Sequence, residues 1–174
     1  MKNQRTQKPH NRRGTIAVLA AFMLTAILGM AALSVDYGYI LYVRTDMQAA
    51  ADAAVLAAVR ELVPDIDGFQ DDGMQDARAK VREYVNDNVK SSEYFQVPDA
   101  DIEIGRYDRG AFYSGNKMTL LNTGVLDTIR VTLRRDGTTN DTIPLFFARV
   151  LGSNQAQITV TATAILPPVT ALRP

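Results

Sequence analysis

Cysteine is absent from the 174-residue chain, and His10 is its only histidine. Without cysteine, no disulfide framework, thiol nucleophile or cysteine-bound zinc site can form. His10 lies in a basic N-terminal head, so the rest of the chain has no histidine for a catalytic triad, a general base or a multi-histidine metal site. Gly-x-Ser-x-Gly, Walker-type and Gly-x-Gly-x-x-Gly motifs are absent as well. The sequence therefore predicts a protein that is not an enzyme and has no cofactor.

The charges balance over the whole chain, with 19 basic and 19 acidic residues, which argues against a nucleic-acid partner. Their distribution is nevertheless uneven. Five of the basic residues precede Gly14 and no acidic residue does, which leaves 14 basic against 19 acidic residues in the rest. The basic head and the mildly acidic body are expected to face different surroundings. The five basic residues are Lys2, Arg5, Lys8, Arg12 and Arg13.

Residues 14–35 form an uncharged run of 22 residues, and a helix of about 20 residues crosses the hydrocarbon core of a bilayer. The basic flank lies on the N-terminal side, so the positive-inside rule predicts a single-pass protein of the inner (cytoplasmic) membrane with residues 1–13 in the cytoplasm. Residues after Val35 are then exported. A cleaved signal peptide, which would release a soluble secreted domain, is the alternative, but its apolar centre is usually only about 7–15 residues long.

The helical pattern continues beyond this run, from about Thr15 to Leu62, until Pro64 stops it. Three tyrosines beyond the run suit the headgroup layer of the membrane; they are Tyr37, Tyr39 and Tyr42. In the second half of the helix, apolar residues recur at spacings of three and four, which predicts a buried stripe opposite Asp46, Asp52 and Glu61. The stripe consists of Met47, Ala50, Ala51, Ala54, Ala58 and Leu62.

The remaining residues predict a small α+β domain. Residues 64–73 are rich in Asp and Gly, which predicts a solvated turn. A calcium-binding loop is not predicted, because neither the position of the glycine nor the residue at position twelve fits that motif. A second amphipathic helix, about 74–89, with Ala77, Val81, Tyr84, Val85 and Val89 on one face, is expected to pack on a sheet. Alternating apolar residues predict antiparallel strands in 101–108, 128–135 and 157–166. A short helix is predicted at 143–152, with Pro144 in its first turn and Gly152 as its stop.

The predicted organisation is therefore a long N-terminal transmembrane helix that continues into an exported stalk, followed by a small antiparallel sheet with packed helices, as in a pilin. The predicted segments are a basic cytoplasmic head (1–13), a transmembrane helix (14–36), a helical stalk (37–62), an exported α+β domain (63–166) and a flexible tail (167–174).

The N-terminal part of the chain resembles the module of TadG-like Flp pilus-assembly proteins of the Tad (tight adherence) type over about 45 residues. The residues that carry the resemblance are Arg13-Gly14, Ala17-Val18, Gly29, Ala31-Ala32, Asp36, Gly38, Arg44, Met47-Gln48 and the alanine-rich run 50–58. The resemblance implies a membrane-anchored component of a Tad/Flp-type pilus assembly or secretion system. Its implied partners are other Tad/Flp membrane proteins or pilin-like subunits, copies of itself and the lipid bilayer. The Asp-x-Ser-x-Ser motif of the von Willebrand A domain, which TadG-like proteins often carry, does not occur.

Small residues in the membrane run, Gly29, Ala31 and Ala32, allow helices to approach closely within lipid. Gly38 and Arg44 belong to the same motif at the membrane boundary. Asp36 has two interpretations: a solvated residue at the membrane exit, or a carboxylate that pairs with Arg44 of a neighbouring subunit.

Two further alternatives stay open. TadE-like pseudopilins resemble prepilins, which have a glutamate five residues after the glycine at which they are cleaved. In this chain, the residue five positions after Gly14 is Leu19. Gly14 is thus only a candidate processing site, for a minor pseudopilin in the fibre. An exported enzyme with a carboxylate pair would use Asp99, Asp101 or Glu103, but alternation with Ile102 and Ile104 places these acids on the solvated face of a strand.

Overall fold

The computed structural model describes residues 13–62, 71–114 and 126–166. Helix α1, Arg13–Ala58, is a single 46-residue helix that ends in a 3-10 turn, Val59–Leu62. At about 1.5 Å per residue it is roughly 70 Å long. The predicted continuous helix is therefore confirmed. Residues 1–12 of the basic head, residues 64–70 of the predicted turn and the predicted tail lie outside the described residues.

The rest of the described chain is α+β, as predicted. Helix α2 is Asp71–Asn88, so the last three residues of the predicted turn are helical instead. The main sheet is antiparallel with the strand order β2-β1-β3-β6. Its strands are β1 Ile102–Asp108, β2 Ala111–Ser114, β3 Thr128–Arg135 and β6 Ile158–Ile165. A separate two-stranded ladder pairs β4, Ile143–Pro144, with β5, Gln155–Ala156.

The C-terminal half of α1 packs against β6 and β3 on one side and against α2 on the other. All six residues of the predicted stripe are buried, which confirms it. Alternate residues of β3 and β6 are buried with them, including Ala162 and Ala164 opposite Val131 and Ile129. The buried side chains on this part of the helix and on β6 include several alanines, which permit a close approach of the two backbones.

Helix α2 differs from its prediction in its main partner and in one residue. It packs chiefly on α1, and its main contact with the sheet is with β1. Ala77, Val81 and Val85 are fully buried, whereas Tyr84 is exposed with the Lys80 ammonium 5.9 Å from its ring centroid. Tyr84 is therefore not a core residue, because a two-helix contact covers a narrower stripe than a helix–sheet contact.

The predicted helix over 143–152 is wrong. Ile143 and Pro144 form an edge strand, where a residue without an N–H is tolerated. Only Ala148–Leu151 is helical, and it forms a single 3-10 turn. Gly152 ends this turn with a φ of 89°, so the predicted stop at Gly152 is confirmed. The helix cannot start earlier because the amide of Leu145 donates to the carbonyl of Asn154 and holds the chain extended.

Strand β2 was not predicted. It pairs with β1 through a two-residue turn in which both Arg109 (φ 49°) and Gly110 (φ 85°) adopt left-handed conformations. Such a turn matches the twist of a hairpin, but it usually contains Asn-Gly or Asp-Gly. At Gly105 in β1, an added Cβ would lie 2.0 Å from the carbonyl oxygen of Tyr113, so the pairing requires glycine.

The turn after β3 is organised by Asp136. Its carboxylate accepts hydrogen bonds from the hydroxyl (2.6 Å) and amide (2.9 Å) of Thr138 and from the amide of Thr139 (3.3 Å). These hydrogen bonds lower the pKa of Asp136 to about 2, and the bond from the Thr138 hydroxyl has the largest effect. The carboxylate is thus an integral part of the turn at neutral pH.

Candidate functional site: the junction between helix and domain

The N-terminal part of α1 projects away from the domain. Every residue from 14 to 35 is exposed except Ala32, which is half-buried. The helix is long and apolar enough to cross a membrane, with a mean hydropathy of 2.5 over its most apolar window. The fold therefore leaves an apolar rod unpartnered up to residue 35 and begins to cover the helix at residue 36.

Asp36 stands at this transition and is buried, with 3% of its surface exposed. Its carboxylate accepts three backbone hydrogen bonds, from the amides of Phe146 (2.9 Å), Phe147 (2.9 Å) and Ala148 (2.6 Å). The amides at the start of a helical turn lack partners within the turn, and a carboxylate is the acceptor that suits them best. Asp36 thus joins α1 to a segment 110 residues away in sequence. The interpretation of Asp36 as a solvated residue is wrong.

The segment held by Asp36 is closed on itself by backbone hydrogen bonds. The amide of Val150 donates to Phe147, that of Gly152 to Arg149 and that of Ser153 to Ala148. The ring of Phe146 also meets the ring of Tyr39 edge to face, with the centroids 5.9 Å apart. The junction is therefore made by a charge-assisted contact and an aromatic contact one helical turn apart on α1.

Two family models match this chain. Residues 14–61 match the TadE/G-like Flp pilus-assembly family, and residues 43–164, more than half of the chain, match the Tad-like Flp pilus-assembly family. The chain belongs to the Tad-like Flp pilus-assembly family. Among curated proteins and among solved structures, no significant match is found. The two matches overlap in the buried half of α1. Asp36 lies in the first matched region and residues 146–148 lie in the second, so the junction joins the two family regions.

In this Tad-like Flp pilus-assembly protein, the candidate packing residues lie on the outside. Gly29, Ala31, Gly38 and Arg44 are exposed, and a Cβ added at either of the two glycines would meet nothing within 4 Å. The same holds at Gly14, the candidate processing site. These glycines therefore serve no contact among the described residues, and their role in packing between helices stays a prediction.

The proposed pairing of Asp36 with Arg44 of a neighbour also stays a prediction. A carboxylate has about four acceptor positions, and three backbone amides already occupy most of those of Asp36. Arg44 lines a shallow surface groove with Thr45, Gln48 and Asp52.

The acidic residues considered for catalysis each face an arginine of this Tad-like protein. Arg134 holds Asp101 at 2.7 Å, and Arg130 lies 3.8 Å from Glu103. The side-chain hydrogen bond with Asp101 raises the pKa of Arg134. The side chain of Asp101 is only 11% exposed, so the expectation that all these acids are solvated is wrong for Asp101. Asp101 and Glu103 thus form ion pairs with two arginines of β3.

The third acid, Asp99, pairs with both Arg78 and Arg82 of α2 and is mostly exposed. Residues 13–62, 71–114 and 126–166 contain no group of three or more acids, histidines or cysteines that could hold a metal ion.

Proposed function

We propose that the protein is a single-pass component of the inner (cytoplasmic) membrane in a Tad/Flp pilus assembly, and that it acts by packing against other subunits and catalyses no reaction. The observation that carries the proposal is the exposed apolar rod of residues 14–35, which continues without a break into the buried stripe of the folded domain. One rigid helix thus links the bilayer to the domain.

The orientation follows from the charges on either side of the rod. Basic residues before Gly14 keep the N-terminus in the cytoplasm, whereas Asp36 and the mildly acidic body follow on the other side. About 30 Å of hydrocarbon matches the roughly 33 Å length of 22 helical residues. The α+β domain is therefore exported and lies directly on the outer surface of the membrane.

Helix packing within the bilayer is the proposed mode of action. In lipid, helices associate by close van der Waals contact, and small residues permit the closest approach. Gly29 and Ala31 are exposed, and Ala32 is half-buried; each supplies a small side chain for such an approach, Gly29 and Ala32 on one face of the helix and Ala31 on the other. Partners are other Tad/Flp membrane proteins, pilin-like subunits or further copies of the chain.

The absence of cysteine allows a direct test of the topology. In intact cells of the native host, a membrane-impermeant maleimide reagent that crosses the outer envelope should label Ala111→Cys, an exposed position in the domain. Asn3→Cys in the basic head should be labelled only after the inner membrane is permeabilised. Labelling of both positions in intact cells, or release of the protein from membranes by alkaline carbonate, would contradict the single-pass proposal.

Helix packing is tested by Gly29→Leu. A Cβ added at Gly29 meets nothing within 4 Å among the described residues, so thermal unfolding of the domain should stay unchanged while pilus assembly and recovery of the protein in crosslinked complexes fall. Ala20→Leu, on the opposite face of the helix from Gly29 and also exposed, is the matched control. Equal effects of the two substitutions would argue against a specific small-residue surface.

A processed pseudopilin is the second candidate, because residues 14–61 match a family that is described as TadE/G-like. The intact mass of the protein from membrane and sheared-fibre fractions separates the two. A full-length chain found only in membranes supports an anchored assembly component, whereas a chain that begins at Thr15 in fibres establishes the pseudopilin.

A further inference from the structure

The segment of residues 146–151, here called the 146–151 loop, exposes four large apolar side chains. The exposed fractions are 60% for Phe146, 46% for Phe147, 90% for Val150 and 71% for Leu151. Single exposed apolar residues are ordinary, but a contiguous group of this size marks a surface that contacts something apolar. Arg149 is the only charged residue in the loop.

The structure fixes the height of this loop relative to the apolar rod. The amides of Phe146, Phe147 and Ala148 lie within 2.6–2.9 Å of the carboxylate of Asp36. Asp36 directly follows the 22-residue uncharged run. If that run spans the bilayer, the loop must lie at the boundary between hydrocarbon and headgroups.

Aromatic residues around the junction have the arrangement expected at this depth. Tyr37 and Tyr42, one and six residues beyond Asp36 on α1, are exposed, and Tyr39 contacts Phe146. Tyrosine is enriched in the interfacial layer because its ring is apolar and its hydroxyl is polar. Because Asp36 is buried, α1 has no exposed charge between the rod and Arg44.

We propose that the 146–151 loop is a second membrane contact, which inserts Phe147, Val150 and Leu151 into the outer surface of the bilayer beside the transmembrane helix. The inference rests on the proposed function, since it requires α1 to span the membrane. Lipid is the occupant because the loop is continuous with the lipid-facing rod and lies at its end. Arg149 is placed among the phosphates of the headgroups, where a cation is favoured.

The consequence is a fixed orientation of the domain. A single helix leaves a domain free to tilt and rotate with the helix, whereas a second contact beside it restricts both motions. Asp36 makes the loop and the helix one rigid unit, so the angle at which the sheet faces neighbouring subunits is set by the membrane surface. Apolar side chains of such interfacial segments lie about 5–10 Å below the headgroup boundary.

The chain contains no tryptophan, so a single introduced tryptophan reports its own depth. The full-length protein with Val150→Trp is reconstituted in phosphatidylcholine–phosphatidylglycerol vesicles that carry bromine at a chosen position of the acyl chain. Bromine quenches tryptophan on contact. We expect strong quenching at Val150→Trp, greater with bromine near the carbonyl end of the acyl chain than near the methyl end, and the same order at Leu151→Trp.

Two matched variants separate this inference from the proposed function. Leu33→Trp lies in the rod and should be quenched if α1 spans the bilayer; Leu56→Trp, exposed on α1 and 20 residues beyond Asp36, should not be quenched. Quenching at Leu33→Trp without quenching at Val150→Trp and Leu151→Trp would overturn the loop contact and leave the membrane span standing. A blue-shifted but unquenched Val150→Trp would assign the loop to a neighbouring copy and overturn the inference as well. An unquenched Leu33→Trp would remove both proposals.

Discussion

Replacement of Asp36 by alanine should release the segment 146–148 from α1 while the rest of the domain stays folded. The substitution removes the acceptor of three backbone hydrogen bonds at 2.6–2.9 Å. A hydrogen bond to a charged group typically shifts a local equilibrium by a factor of ten or more. Water can reach the half-exposed segment and recover part of this loss, so the three bonds do not add fully. We expect local opening to increase roughly 30- to 150-fold.

Hydrogen–deuterium exchange of the full-length protein in lipid or detergent measures this change, since amides exchange through local opening. Exchange at Phe146, Phe147 and Ala148 should accelerate in Asp36→Ala and by less in Asp36→Asn, which keeps one acceptor oxygen. Asp52→Asn is the control: it lies on the same helix, is exposed and bonds only to Gln48 among the contacts described.

The reasoning would be refuted by unchanged exchange at 146–148 in a folded Asp36→Ala protein. An equal acceleration in β3 and β6 would also refute it, because it would show that Asp36 stabilises the whole domain and not the junction.

Three further predictions concern the domain. The pKa of Asp136 is lowered from 3.8 to about 2, so the stability that its carboxylate provides is complete above about pH 4 and is lost as the pH falls towards 2; Asp136→Asn should flatten this part of the pH–stability curve measured by circular dichroism. Gly105→Ala places a methyl group against a backbone oxygen and should lower the free energy of unfolding by about 1–3 kcal/mol, whereas Gly38→Ala, in open space on a helix, should raise it by about 0.5–1 kcal/mol; the reverse order in denaturant titrations would contradict this assignment. Asp101→Asn should lower the melting temperature more than Asp99→Asn, because the Asp101 side chain is 11% exposed and that of Asp99 is 72% exposed; equal shifts would show that burial does not strengthen the pair.

Much of the fold could be predicted because its elements carry strong local patterns. The stripe on α1, the alternation in β3 and β6 and the face of α2 each follow from the period of the element and from burial on one side. The helix and the long strands were therefore found at nearly their observed bounds. The boundary between a transmembrane and an exported part of α1 stays a prediction, since the helix crosses residue 36 without any change in its backbone.

The segment 143–152 could not be predicted because its structure depends on distant partners. Its local sequence, with a proline followed by apolar residues and a glycine, fits a short helix. The observed strand and 3-10 turn are instead fixed by Asn154 through the amide of Leu145 and by Asp36 through three other amides. Strand β2 was missed for a related reason, because Arg109 is an unusual residue in a left-handed turn position.

The burial of Asp36 had a signal in the sequence nonetheless. It lies seven residues before Val43 and eleven before Met47, on the face of α1 that enters the core. Extending the buried stripe by about three turns from Met47 would have placed the carboxylate against the domain and excluded a solvated boundary residue. A buried carboxylate needs hydrogen-bond donors, and amides at the start of a helical turn are donors that a loop can offer from its backbone alone. The residue that ends the apolar run is thus the one that receives a loop of the domain; if α1 spans a bilayer as proposed, the depth of the helix also sets the placement of the 146–151 loop.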